Sequence, residues 1–149
     1  MSYNVKDYMS TDVVTIDFGA SALSASKLMA EKSRGYVIVV DKGKPAGIVT
    51  ERDLVMMVMS KEKDPSTVRV SEFMSRPLIT IDIDASLEDA VKTMAKHRIR
   101  RLPVVKNNYI CGIFTTRELT RNFSKYQDRV AKDLVDAQIH YGTGLELGF

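Results

Sequence analysis

The chain has 149 residues, 44% of them hydrophobic and 28% charged, with a formal net charge of +3. Those values fit a folded soluble domain, exclude global disorder and give only weak support to a polyanion-binding surface. The single cysteine, Cys111, excludes an internal disulfide and a thiolate zinc cluster, and its apolar neighbours Ile110 and Ile113 suit a buried small side chain. No apolar run approaches the roughly 20 residues that span a bilayer. The start Met1-Ser2-Tyr3-Asn4-Val5-Lys6 also lacks a signal-like core, so a cytoplasmic protein is expected.

In chain order the same programme is read twice. Residues 5–54 align with residues 70–119 without a gap and are identical at 19 of 50 positions. The first unit opens with the β-rich Val13-Val14-Thr15-Ile16, and a helical period follows through Ala22, Ala25 and Met29. Strands over residues 37–40 and 46–49 are predicted to pair across the turn Asp41-Lys42-Gly43-Lys44, and a helix is expected from Glu51. Its continuation, Leu54-Val55-Met56-Met57-Val58-Met59, is too apolar for a solvated helix and predicts burial between repeats or between chains. Residues 60–69, polar and broken by Pro65, read as a surface loop.

The second unit repeats the order: Leu78-Ile79-Thr80-Ile81, then a helix through Leu87, Ala90, Val91 and Met94. Ser86 and Asp89 have capping-box spacing at its start. Strands over 102–105 and 110–114 follow around Lys106-Asn107-Asn108-Tyr109, with a second helix near Thr116. A further helix is expected over residues 124–138, and Gly142, Gly144 and Gly148 suggest a loose end. The expected division is residues 1–62 and 63–123 as two repeats and 124–149 as a C-terminal helix and tail. The units are too small for large separate cores, so they are expected to share one and leave a pseudo-symmetric cleft. The expected class is a mixed α/β, or α+β, fold with two small facing sheets.

Candidate ligand chemistry lies where the last strand of each unit becomes a helix. Gly47-Ile48-Val49-Thr50-Glu51-Arg52-Asp53 returns as Gly112-Ile113-Phe114-Thr115-Thr116-Arg117-Glu118. Glycine permits close backbone approach, the threonine hydroxyl and helix amides suit a phosphate, and the carboxylate suits vicinal ribose hydroxyls. Thr50 with Asp53 and Thr115 with Glu118 are equally capping boxes, which need no ligand. Lys96-His97-Arg98-Ile99-Arg100-Arg101 has no equally basic counterpart in Glu31-Lys32-Ser33-Arg34-Gly35-Tyr36. Arg98, Arg100 and Arg101 are therefore the expected phosphate anchors. Tyr36 and Tyr109 offer rings for a base or for the core. His97 and His140 are solitary, which argues against a metal site, and no nucleophile with a base, paired carboxylates or P-loop is present.

With the repeat, these phrases and Arg101-Leu102-Pro103-Val104-Val105 closely resemble a tandem cystathionine-β-synthase (CBS) domain pair, or Bateman module. The openings Val5-Lys6-Asp7-Tyr8-Met9-Ser10 and Val70-Ser71-Glu72-Phe73-Met74-Ser75 resemble that family's start. The resemblance implies two stacked β-α-β-β-α units with pseudo-two-fold symmetry, flat dimers, and AMP, ADP, ATP or S-adenosylmethionine bound between the repeats. By position, Asp53 would hold ribose, Thr50 ribose or phosphate, and Thr15 or Thr80 would border the adenosine. Pro103, Thr115 and Glu118 complete the candidate set. Glu118 departs from the family's aspartate, and its extra methylene weakens the case for ribose there.

The implied function is a non-catalytic regulatory module that needs no cofactor. It would bind an adenosine nucleotide and alter a homodimer surface or a separate enzyme or transporter partner, without membrane insertion. The alternatives are a structural oligomerisation module without ligand, S-adenosylmethionine binding, and nucleic-acid binding through residues 98–101.

Overall fold

The structure, a computed structural model, describes residues 3–136. The first unit runs β1 (Thr15–Asp17), α1 (Ala22–Lys32), β2 (Tyr36–Asp41), β3 (Lys44–Thr50) and α2 (Glu51–Leu54). The second runs β4 (Ile81–Asp82), α3 (Leu87–His97), β5 (Arg101–Lys106), β6 (Tyr109–Thr115) and α4 (Thr116–Arg121), and α5 (Phe123–Asp136) follows. This is the expected β-α-β-β-α order, twice.

Local chemistry explains each element. Ser21 and Ser86 cap α1 and α3 by accepting from the backbone N–H of Ser24 and Asp89, both at 3.0 Å. At Ser86 the short Asp89 side chain makes no return bond, so the expected box is half formed. Ala22, Ala25 and Met29 form the buried stripe of α1, and Leu87, Ala90 and Met94 that of α3, with Val91 half-buried beside them. Both helices end on a left-handed residue that is not glycine, Ser33 at φ 52° and Arg98 at φ 53°. The hairpins turn on Lys42-Gly43 and Asn107-Asn108, all four at positive φ, as tight two-residue turns require.

Each sheet places its central strand parallel to the short one and antiparallel to the hairpin partner, in the orders β1-β2-β3 and β4-β5-β6. The first strand starts later than its sequence suggests. Only Thr15, Ile16 and Asp17 align with Ile38, Val39 and Val40, while Val14 enters the first core and Val13 packs between the sheets. The sheets meet through buried Tyr36, Ile38 and Ile113.

The chain's two lead-ins are exchanged. Val5 and Tyr8, from the start of the first repeat, are buried against Leu87, Ala90, Leu102 and Phe114 of the second. Val70, Phe73 and Met74 are buried against Ala22, Ala25, Val37 and Val49 of the first. Backbone bonds seal both exchanges: Val5 N–H to Ala85 O at 2.9 Å and Val70 N–H to Ala20 O at 2.8 Å. Each packed unit therefore draws on both sequence repeats, and full burial of each valine stabilises by about 1.5–3 kcal/mol.

The apolar run after α2 winds into a wider, π-helical turn over Val55–Met59. Only Val58 is buried there; Val55, Met56 and Met59 are 56%, 51% and 77% exposed. Packing between repeats thus does not bury this segment, because the first core has room for Leu54, Met57 and Val58 alone. At the far end, α5 is tied to the first lead-in: the Arg129 guanidinium donates to the Tyr8 hydroxyl at 2.9 Å and lies 4.8 Å from the Tyr3 ring centroid. The expected end of that helix, the glycine-rich tail and His140 lie outside the described residues.

Candidate functional site

Two cavities open between the repeats and are related by the 65-residue offset. The first, about 200 Å³, is lined by Thr115 and Glu118 at the β6–α4 junction, by Ser33, Arg34 and Tyr36 between α1 and β2, and by Arg100 and Arg101 at the start of β5. The second, about 290 Å³, is lined by Thr50 at the β3–α2 junction, by Arg98, Arg100 and Arg101, and by an apolar wall of Ile48, Pro77, Leu78, Ile79 and Ile99. The left-handed ends of α1 and α3 create both mouths. They turn the chain sharply and deliver Ser33-Arg34 to one cavity and Arg98-Ile99 to the other.

Both junctions are reciprocal caps. Asp53 Oδ2 accepts from Thr50 N–H at 2.9 Å and from the Thr50 hydroxyl at 3.1 Å, and Thr50 Oγ1 accepts from Asp53 N–H at 3.2 Å. Glu118 Oε2 accepts from Thr115 N–H at 3.0 Å and from the Thr115 hydroxyl, while Thr115 Oγ1 accepts from Arg117 N–H. In each carboxylate one oxygen takes both bonds. Asp53 Oδ1 and Glu118 Oε1 carry no hydrogen bond among the described residues, so capping leaves each carboxylate an oxygen able to accept from a ligand hydroxyl.

The Glu118 cavity is the more charged of the two. Arg34 pairs with Asp12 at 2.5 Å, leaving its Nε buried without an acceptor. The Arg101 guanidinium lies 5.0 Å from the centroid of the Tyr36 ring, a cation–π contact. Burial holds the Tyr36 phenol above its ordinary pKa; Glu118 and Asp12 push the same way, and Arg34 and Arg101 oppose them.

Of the residues singled out in the sequence, Thr50, Arg98, Arg100 and Arg101 converge on one cavity and Tyr36, Thr115, Glu118, Arg100 and Arg101 on the other. Asp53 stands behind Thr50 and does not line the wall; Glu118, the longer side chain, does. Thr15 is exposed in β1, Thr80 is half-buried ahead of β4, and Pro103 is buried in β5 opposite Ile113; none of the three lines either cavity. Tyr109 stands exposed at the opposite end of β6, with its ring against Gly43. Cys111 is half-buried with its S–H donating to Val104 O at 3.3 Å, and burial pushes its thiol pKa up.

Sequence reading missed Arg34 and Asp12. The one signal it offered is an arginine next to Gly35, between the helical stretch and the next strand. Among the described residues no group of three or more His, Cys, Asp or Glu side chains gathers to hold a metal ion, and no helix is long and apolar enough to cross a membrane.

Two β-α-β-β-α units joined through their sheets, with paired clefts and exchanged lead-ins, define a tandem-repeat module. The CBS domain profile matches residues 5–60 and 70–125, and the chain belongs to the CBS domain family as a tandem pair. It is 38% identical over 119 residues to the CBS domain-containing protein YhcV of Bacillus subtilis, covering 80% of this chain and 84% of that protein. It is also 38% identical over 120 residues to an uncharacterised Methanopyrus kandleri protein, covering 79% of this chain and 61% of that one. Among solved structures, a CBS domain pair in complex with 5′-methylthioadenosine and S-adenosyl-L-methionine superposes with a TM-score of 0.71 at 28% identity, covering 80% of this chain and 98% of that one.

Proposed function

We propose that this chain is a sensor of adenine nucleotides, AMP, ADP or ATP, held between its repeats without covalent chemistry. The observation that carries the reading is the make-up of the Thr50 cavity. One wall is apolar and suits a base, while the Thr50 hydroxyl suits a ribose or a phosphate. The other wall carries Arg98, Arg100 and Arg101, which suit phosphates. The adenosine compounds in the related CBS pair, neither of which carries a phosphate, support the adenosine part of this reading.

Arg98 adds to this. It occupies a left-handed position at φ 53°, where glycine or asparagine is the low-strain choice. An arginine kept at that cost fits a need for charge at the cavity mouth.

Binding would stiffen the junction of β3 and α2, and α2 leads directly into the exposed Val55, Met56 and Met59. A second copy covering that apolar face would give the homodimer whose surface the nucleotide adjusts. Localisation in the cytoplasm, where these nucleotides abound, completes the reading. Isothermal titration with AMP, ADP, ATP and S-adenosylmethionine tests it: saturable binding of an adenine nucleotide, weakened by Arg98→Gln, is expected. No saturable binding of any of the four would overturn it.

A further inference from the structure

We propose that the two clefts are coupled through one shared guanidinium, that of Arg101, so that one phosphate-bearing nucleotide excludes a second. This rests on the nucleotide reading above. Residues 36 and 101 hold equivalent positions, at the starts of β2 and β5. Only one of the pair is cationic, and Arg101 lines both cavities whereas Tyr36 lines one.

The Arg101 guanidinium packs over the Tyr36 ring and against Gly35, where an added Cβ would stand 3.4 Å from its Nη2. It makes no hydrogen bond or ion pair with the described residues, so its whole donor fork is open to an anion. The alternatives in each cavity are poorer. Arg34 is already committed to Asp12; Arg100 also lines both cavities, but it, Arg98 and Arg117 are exposed and make weaker anchors than the half-buried Arg101. From its place on Tyr36 Arg101 borders both cavities, so a phosphate in either one draws on the same group. Two phosphorylated ligands would compete for that group and repel each other across it, whereas two uncharged nucleosides would not.

Equilibrium dialysis of the full chain with adenosine and with ATP, counting ligands bound per chain, separates these cases. The wild type is expected to hold two adenosines but one ATP, with a second ATP weaker by about tenfold or more. Arg101→Gln, shown to be folded by its thermal melt, is expected to bind its first ATP more weakly, so that the two ATP affinities draw together, and Arg101→Lys, which keeps a charge, is expected to keep the gap. Two ATP of comparable affinity in the wild type would overturn the coupling and leave the nucleotide reading intact. A single adenosine would mean only one working cleft, and a gap of about tenfold or more kept between the first and second ATP on Arg101→Gln would take the role from Arg101; either overturns the coupling. No binding of adenosine or ATP by the wild type would remove the nucleotide reading and the coupling with it.

Discussion

Met74 stands where a side chain on Gly47 would have to go: a Cβ there would lie 2.7 Å from Met74 Sδ and 2.9 Å from Ser75 O. Met9 and Ser10 stand in the same relation to Gly112, at 2.5 and 2.9 Å. The repeated glycine thus admits the other repeat's lead-in, and the close approach is made by the chain itself. Because a backbone carbonyl is part of each clash, methionine repacking cannot relieve it. Gly47→Ala and Gly112→Ala are each expected to destabilise by about 1–3 kcal/mol in urea unfolding. Wild-type midpoints in both variants would contradict this packing.

The exchange of lead-ins makes each repeat dependent on the other. Residues 1–62 alone lack Val70, Phe73 and Met74, which close the first core. That fragment is expected to show no cooperative thermal transition by circular dichroism, unlike the whole chain. A cooperative melt of the isolated fragment would show that the exchange is dispensable.

The caps differ in burial, and their loss should differ accordingly. Thr50→Ala removes a half-buried cap and is expected to cost about 1 kcal/mol. Thr115→Ala also strips a hydrogen bond from buried Glu118, with an expected cost of about 1–3 kcal/mol. Equal and negligible losses would mean that the boxes do little for stability.

Tyr36 gives the fold a signature at alkaline pH. Its pKa is raised above 10.0, chiefly by burial, so the folded state favours the neutral phenol. The resulting stability is present in full below pH 10 and is lost as pH rises through the higher folded value. Of the six tyrosines, Tyr36 is expected to ionise late in an ultraviolet titration of the folded protein, and Tyr36→Phe should remove that late step. An unchanged titration curve in the variant would contradict the assignment.

Met56 and Met59 are exposed methionines of the apolar run after α2. If a second copy covers them, Met56→Lys with Met59→Lys should shift the wild-type dimer to monomer in sedimentation velocity, without lowering the melting temperature of the monomer. A wild-type monomer would contradict the dimer.

What the sequence makes legible is decided locally. The Ser86 cap, the turns on Lys42-Gly43 and Asn107-Asn108, and the stripes of α1 and α3 need only their neighbours, and each stands where periodicity and turn chemistry put it. Which core Val5 or Val70 joins is not legible, because both units offer similar apolar grooves and only long-range packing chooses. The site divides in the same way. Thr50 and Thr115 follow from strand-to-helix spacing, but Arg34 does not: its repeat counterpart is Ile99, and its partner Asp12 is 22 positions away. The withdrawal of Asp53 behind Thr50, and the position of Glu118 on its cavity wall, depend on how each side chain folds back onto its cap.

Soaking crystals of ligand-free protein with ATP tests the nucleotide reading most directly. Electron density is expected in a cleft between the repeats, with the ribose at a junction threonine and its carboxylate and the phosphates at the arginines of residues 98–101. Saturating ATP that leaves both clefts empty, or that settles only on the outer surface, would contradict it.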